Sequence, residues 1–158
     1  MGYRKNKTRK VMNDWEKKFL PKLKKWHGNH SKIVFHKLMK KSSTLKTSLK
    51  KRSKEYEVEF NISLKEIREA MYKVYGKGCR YCNEPVKIQN MVCDHIMPIS
   101  LGGTSTPDNL QLICNRCNRR KGPLTHRQFS KLLVFLKKQS KVMADYILRK
   151  LSKADVMS

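Results

Sequence analysis

Acidic residues are scarce in this chain: 12 Asp and Glu stand against 37 Lys and Arg, a formal net charge of +25 over 158 residues. The deficit is spread along the whole length. Residues 1–60 hold 19 basic and 5 acidic residues, a balance of +14, and residues 61–158 hold 18 and 7, a balance of +11. Such a field calls for a polyanionic partner, because lysine and arginine neutralise phosphates and release condensed counterions. Composition alone does not separate DNA from RNA, so ribosomal RNA stands as a rival to DNA at this point.

Long apolar runs are missing as well. No stretch approaches the roughly 18 apolar residues of a membrane span, and apolar residues are not segregated opposite a cationic face, so no membrane partner is expected. The opening Met-Gly-Tyr-Arg-Lys-Asn-Lys has no apolar core or small-residue cleavage site, so no secretory signal is expected either. There is no internal repeat, and no heptad pattern long enough to enforce a coiled-coil dimer. A monomer or weak homodimer follows. The 5 cysteines cannot all pair as disulfides, which points to an intracellular, reducing compartment such as the cytoplasm of a host cell or the nucleoid.

Four of those cysteines fall in two matched pairs, Cys79-x-x-Cys82 and Cys114-x-x-Cys117. Two thiolates two residues apart can turn onto one ion, so paired C-x-x-C units imply a four-sulfur tetrahedral zinc site. A redox pair or chance cysteines are the rival readings, and two matched pairs in one short basic chain favour zinc. Cys93, in the run Met91-Val92-Cys93, reads as a small buried hydrophobe.

Periodicity organises the rest. Val11, Trp15, Phe19, Leu23 and Trp26 recur at helical spacing, with Pro21 interrupting, which predicts one kinked or two short helices whose aromatics form a packing face rather than stack on bases. Ile33, Val34, Leu38 and Met39 predict a second helix, and Lys40 to Lys54 reads as a linker or arm. His27, His30 and His36 have no cysteine partners nearby and read as exposed. Tyr56, Val58, Phe60 and Ile62 alternate with polar residues, the period of an extended segment.

Ser63 to Glu66 makes a capping box for a helix with Leu64, Ile67 and Met71 on one stripe, stopping at Gly76. Val86 to Ile96 reads as strand, then an irregular Gly/Pro loop, then Leu110 to Ile113 as a second strand. A short helix is predicted over Cys114 to Arg120, one opening at the Thr125 capping box, and one over about Lys141 to Leu151. His126 reads as a first-turn polar residue, with a phosphate contact as the alternative.

Residues Asp94 to Gly122, DHIMPISLGGTSTPDNLQLICNRCNRRKG, resemble the zinc-bracketed HNH endonuclease family, the ββα-metal or His-Me finger nucleases. Over roughly residues 63–126 the chain shares with it, in order, C-x-x-C, Asp-His, a Gly-Gly loop, Asp-Asn-Leu and C-x-x-C-Asn-x-x-Lys-Gly. The resemblance implies an α+β fold: an HNH core at 63–126 with a structural zinc, a basic, largely helical extension or arm with linker at 1–62, and C-terminal helices at 127–158. It makes His95 the general base, Asn109 the residue that holds the loop and orients that base, and Lys121 a phosphate contact. Asp94 and Asn118 become ligands of a catalytic magnesium or manganese ion, distinct from the Cys79, Cys82, Cys114, Cys117 zinc because oxygen donors suit hard cations and thiolates suit zinc. The implied function is hydrolysis of DNA by an HNH endonuclease, of homing or phage type, docking through the basic N-terminal arm and the HNH face. The alternative is a noncatalytic zinc-containing DNA- or RNA-binding protein.

Overall fold

The computed structural model describes residues 12–154, and the chain divides into two compact units between Leu38 and Met39. Val11 lies outside the described residues. In the first unit helix α1 (Asp14–His27) starts at a capping box: Asn13 accepts a bond from the Glu16 amide at 2.9 Å, and the Glu16 carboxylate accepts one from the Asn13 amide at 3.0 Å. Pro21 sits inside α1, which runs on as one helix and not two. A proline there forfeits one backbone bond, but Phe19, Leu20 and Leu23 are buried, and Phe19 packs against Trp15 and Phe35 with ring centroids 6.1 and 6.2 Å apart. Trp26 is exposed, so the aromatic stripe is a packing face only in part. His30 and His36 are exposed and His27 is half-buried.

Helix α2 (Ser31–Glu55) is 25 residues long and corrects the expected linker at 40–54. Ser42, Leu45, Leu49 and Ser53 are buried at spacings of three and four, a helical stripe in which two members are serines. A search for apolar residues meets only the two leucines. The serines can be buried because their hydroxyls are paired: Ser42 donates to the Met39 carbonyl at 2.6 Å and accepts from Arg68 at 3.2 Å, and Ser53 donates to Ser105 at 2.7 Å. The division between the units falls inside α2, and the last four turns of that helix belong to the second unit.

Residues 56–62 form no regular strand. Phe60 makes a single parallel bridge to Ser105, with the Ser105 amide donating to the Glu59 carbonyl at 2.8 Å and the Asn61 amide to the Ser105 carbonyl at 3.1 Å. Helix α3 (Leu64–Val74) follows its Ser63–Glu66 capping box and buries Ile67 and Met71. The expected long first strand is short, β1 (Met91–His95), because the Asn90 side chain accepts from the Lys87 amide at 2.8 Å and donates to the Pro85 carbonyl at 3.0 Å, turning residues 85–90 into a loop. β2 (Leu110–Cys114) pairs with β1 antiparallel, Met91 opposite Cys114 and His95 opposite Leu110.

Helix α4 (Asn115–Lys121) leaves β2 directly and ends at Gly122, whose φ of 49° favours a residue without Cβ. α5 (His126–Leu136) starts at the Thr125 capping box, and α6 (Lys141–Ala154) joins it around buried Phe129, Leu136 and Leu148. The whole is α+β, a two-stranded sheet with a helix that closes a ββα unit. Among the described residues no helix is long and apolar enough to cross a membrane.

If α2 is core and not linker, Leu49→Ala should lower the unfolding free energy by about 2–5 kcal/mol, while the exposed Lys50→Ala stays within about 0.5 kcal/mol. Urea titration of both variants checks it. Equal midpoints would return this stretch to an arm.

Candidate active site and metal centre

The two C-x-x-C pairs come from different places, Cys79 and Cys82 from the loop after α3, Cys114 and Cys117 from the junction of β2 and α4. The fold brings all four sulfurs within 4.8 Å of one another, with no disulfide among them. Sulfurs bonded tetrahedrally to one zinc at about 2.3 Å would stand about 3.8 Å apart, and Cys82 and Cys114 are separated by 3.6 Å. Backbone amides already serve the cluster: Cys114 donates to the Cys79 sulfur at 3.5 Å and Cys117 to the Cys114 sulfur at 3.4 Å. A hydrogen bond from Cys117 draws the Cys79 thiol down to about 4, while burial pushes Cys114 up to about 11 and the bond to Cys79 pushes Cys117 up as well. Four crowded sulfurs thus share little negative charge by themselves, and a dication is the group that lets all four ionise. The donor set fits zinc. Cys93, half-buried on β1, stays outside the cluster, its thiol raised to about 12 by burial.

The second constellation lies at the other end of the hairpin, on a cavity of about 640 Å³ bordered by Arg52, Tyr56, Asp94, His95, Asn118 and Lys121. Asp94 and His95 end β1, so their side chains leave opposite faces of the strand, and both reach the cavity rim. Asp94 is buried, and each of its oxygens accepts one hydrogen bond: Lys121 donates to Oδ1 at 3.1 Å and Gln111, its cross-strand partner, to Oδ2 at 2.8 Å. Burial raises its carboxyl, and the Lys121 ammonium opposes the shift. Gln111 is itself aimed by Tyr81, whose hydroxyl accepts at 2.8 Å, and Tyr81 shares a 2.8 Å hydrogen bond with His126 Nδ1. His126 is thus tied to the support of Asp94 and not simply a first-turn polar residue.

Lys121 is where the structure departs from expectation. Its ammonium is buried and committed to Asp94 and to the His95 carbonyl at 2.7 Å, so it neutralises the carboxylate and ties α4 to β1 instead of reaching outward to a phosphate. Asn109 lies at the root of the loop between the strands. Its Oδ1 accepts from the Met97 amide at 2.8 Å, and its Nδ2 donates to the carbonyls of Met97 at 3.1 Å and Thr104 at 2.8 Å. The Gly-Gly pair lets the loop close, since Gly102 has a φ of 83° and a Cβ on Gly103 would collide with the Met97 carbonyl.

His95 is buried, and burial, with Arg52 and Lys121 nearby, lowers its imidazole to about 4. Its Nε2 shares a hydrogen bond with Ser105 Oγ at 2.9 Å. Four residues of this neighbourhood escaped sequence reasoning: Arg52, Ser53, Tyr56 and Ser105. A serine or arginine in a lysine-rich stretch carries no local signal, and only helical phase across 42, 45, 49 and 53 hinted that this segment packs.

Residues 79–124 match the family model of the HNH endonucleases, and this stretch, which contains the four paired cysteines, Asp94, His95, Asn109, Asn118 and Lys121, is an HNH endonuclease domain. Among similar proteins is the CRISPR-associated endonuclease Cas9 of Corynebacterium diphtheriae, 44% identical over 45 residues, which are 28% of this chain and 4% of that protein. The likeness covers only a small fraction of the relative's length. No solved structure matches the chain.

Purified protein should keep one tightly held zinc per chain through dialysis, and Cys114→Ser should lose that zinc and lower the melting temperature. Metal analysis with a thermal scan reads both. Folded parent protein free of zinc would remove the clip.

Proposed function

We propose that the chain is a metal-dependent endonuclease that hydrolyses phosphodiester bonds of DNA. The observation that carries this is the convergence of Asp94, His95 and Asn118 on one cavity inside an HNH domain. With its imidazole lowered to about 4, His95 is neutral at pH 7 and has a lone pair for a proton. It takes that proton from the attacking water as the water oxygen bonds to phosphorus and the bond to the leaving oxygen breaks. Asn109 keeps the loop beyond β1 in register with the strand, and so holds His95 in place. Arg52, exposed on the same cavity, takes the phosphate-facing role that the buried Lys121 does not.

Asp94 and Asn118 offer a carboxylate and an amide oxygen, the donor chemistry of magnesium or manganese, and these two would hold the catalytic ion. When bound, that ion supplies Lewis-acid neutralisation of charge on the phosphate and leaving oxygen. Zinc at the four cysteines is structural. DNA as substrate is supported by the +25 charge, with the basic N-terminal helices and the HNH face as docking surfaces. A homing or phage-type role suits a basic, helix-flanked HNH domain, and unpaired cysteines suit a reducing compartment.

Supercoiled plasmid with magnesium or manganese tests the reading. The parent should cut, and His95→Ala should lose about a hundredfold or more in rate while keeping zinc and DNA affinity. A parent that binds plasmid and never cuts it is a noncatalytic zinc-containing nucleic-acid-binding protein.

One chain carries one such site, and one site aligns one phosphate at a time. As a monomer or weak homodimer, the protein should accumulate nicked circles before linear DNA in a time course at several concentrations. Direct conversion to linear product, with a rate rising as the square of concentration, would indicate a working dimer.

A further inference from the structure

The hydrogen bond that orients His95 is anchored from outside the HNH stretch. Ser105 Oγ lies 2.9 Å from His95 Nε2, and the same oxygen accepts a 2.7 Å hydrogen bond from Ser53 Oγ, on the last turn of α2. All three residues are buried, with relative exposures of 2% for Ser53, 0% for Ser105 and 3% for His95. The backbone of Ser105 is held from the same side, between the Glu59 carbonyl and the Asn61 amide. Ser53, Glu59 and Asn61 all precede residue 79, where the match to the HNH family begins. Thus the domain carries the histidine and its serine, while the segment before it sets where that serine stands.

We propose that Ser53 is a positioning residue for His95, acting through Ser105, so that the last turn of α2 is a working part of the active site. This rests on the reading of His95 as the base. A hydroxyl oxygen has two acceptor lone pairs, and Ser53 donates to one of them. Ser105 Oγ is bonded in turn to His95 Nε2, and whichever of the two donates, that bond fixes the plane of the ring. No other hydrogen bond to the ring joins it to the protein among the described residues, so its orientation depends on Ser105. Without Ser53, the buried Ser105 hydroxyl loses its fixed partner, and the imidazole loses its fixed plane. The effect should fall on the chemical step, since all three side chains are buried and offer little surface for docking DNA.

Ser53→Ala, Ser105→Ala and the double variant, each as full-length zinc-loaded protein, test this. Ser53→Ala should lower kcat about ten- to a hundredfold with KM for DNA within about twofold of the parent. The double variant should be no slower than Ser105→Ala, because both substitutions remove one connected unit. Histidine ¹⁵N NMR of the same proteins, with His95→Ala to assign the signal, should show the His95 ring nitrogens shifted in Ser53→Ala and the other four histidines unmoved. An unchanged His95 signal, a parental kcat, or losses that add in the double variant would overturn the proposal. If the parent does not cut DNA, the nuclease reading fails, and the NMR comparison still decides whether Ser53 positions the ring.

Discussion

The buried ion pair between Asp94 and Lys121 is the constraint around which the site is assembled. Neither charge is open to solvent, and a buried charge that loses its partner costs several kcal/mol, so the carboxylate at the end of β1 and the ammonium at the end of α4 have to meet. That meeting closes the ββα unit, because the same ammonium also caps the His95 carbonyl. Such a pair is better read as a device for specificity than as a source of net stability, since desolvation offsets much of its attraction. From Asp94 the constraint passes through Gln111 to Tyr81, and Tyr81 in turn packs edge-on against Phe129 with ring centroids 4.9 Å apart. The carboxylate is thereby tied to α5 and its apolar cluster.

His95 is held in a different way. Its strand neighbour is fixed by charge, whereas the imidazole is fixed by neutral hydroxyls from the loop and from α2. The contrast follows from charge. A buried carboxylate needs a countercharge and amide donors around it, while a neutral imidazole is satisfied by a neutral hydroxyl. Asn109 contributes from the inside of the loop and Ser105 from the outside, so the 14 residues between β1 and β2, 96–109, are pinned at their root and near Ser105.

The HNH stretch was legible because its chemistry is local. Two C-x-x-C pairs, an Asp-His pair and an Asn three residues before a Lys-Gly step are short-range patterns, and each maps onto a turn, a strand end or a helix end that the fold then realises. Capping boxes at Ser63 and Thr125 announced α3 and α5 for the same reason: the groups that make them are three residues apart. What went unread was α2. Its buried stripe is half serine, so apolar counting sees a solvated arm, and the reason those serines are tolerated inside is a set of partners for their hydroxyls such as Ser105, 52 residues away from Ser53.

By itself the sequence determined which chemistry is available: four thiols in two pairs, one carboxylate beside one imidazole, and a surface charge that seeks a polyanion. Residue type and spacing of two to four positions suffice for that. Only the tertiary structure decided how those groups are deployed. Lys121 turns inward because burial of Asp94 demands a countercharge, and Arg52 and Ser53 join the site because a long helix carries its last turn there, with Tyr56 just beyond its end. Contacts of that kind depend on which distant surfaces are desolvated together, and no window of neighbouring residues contains that information.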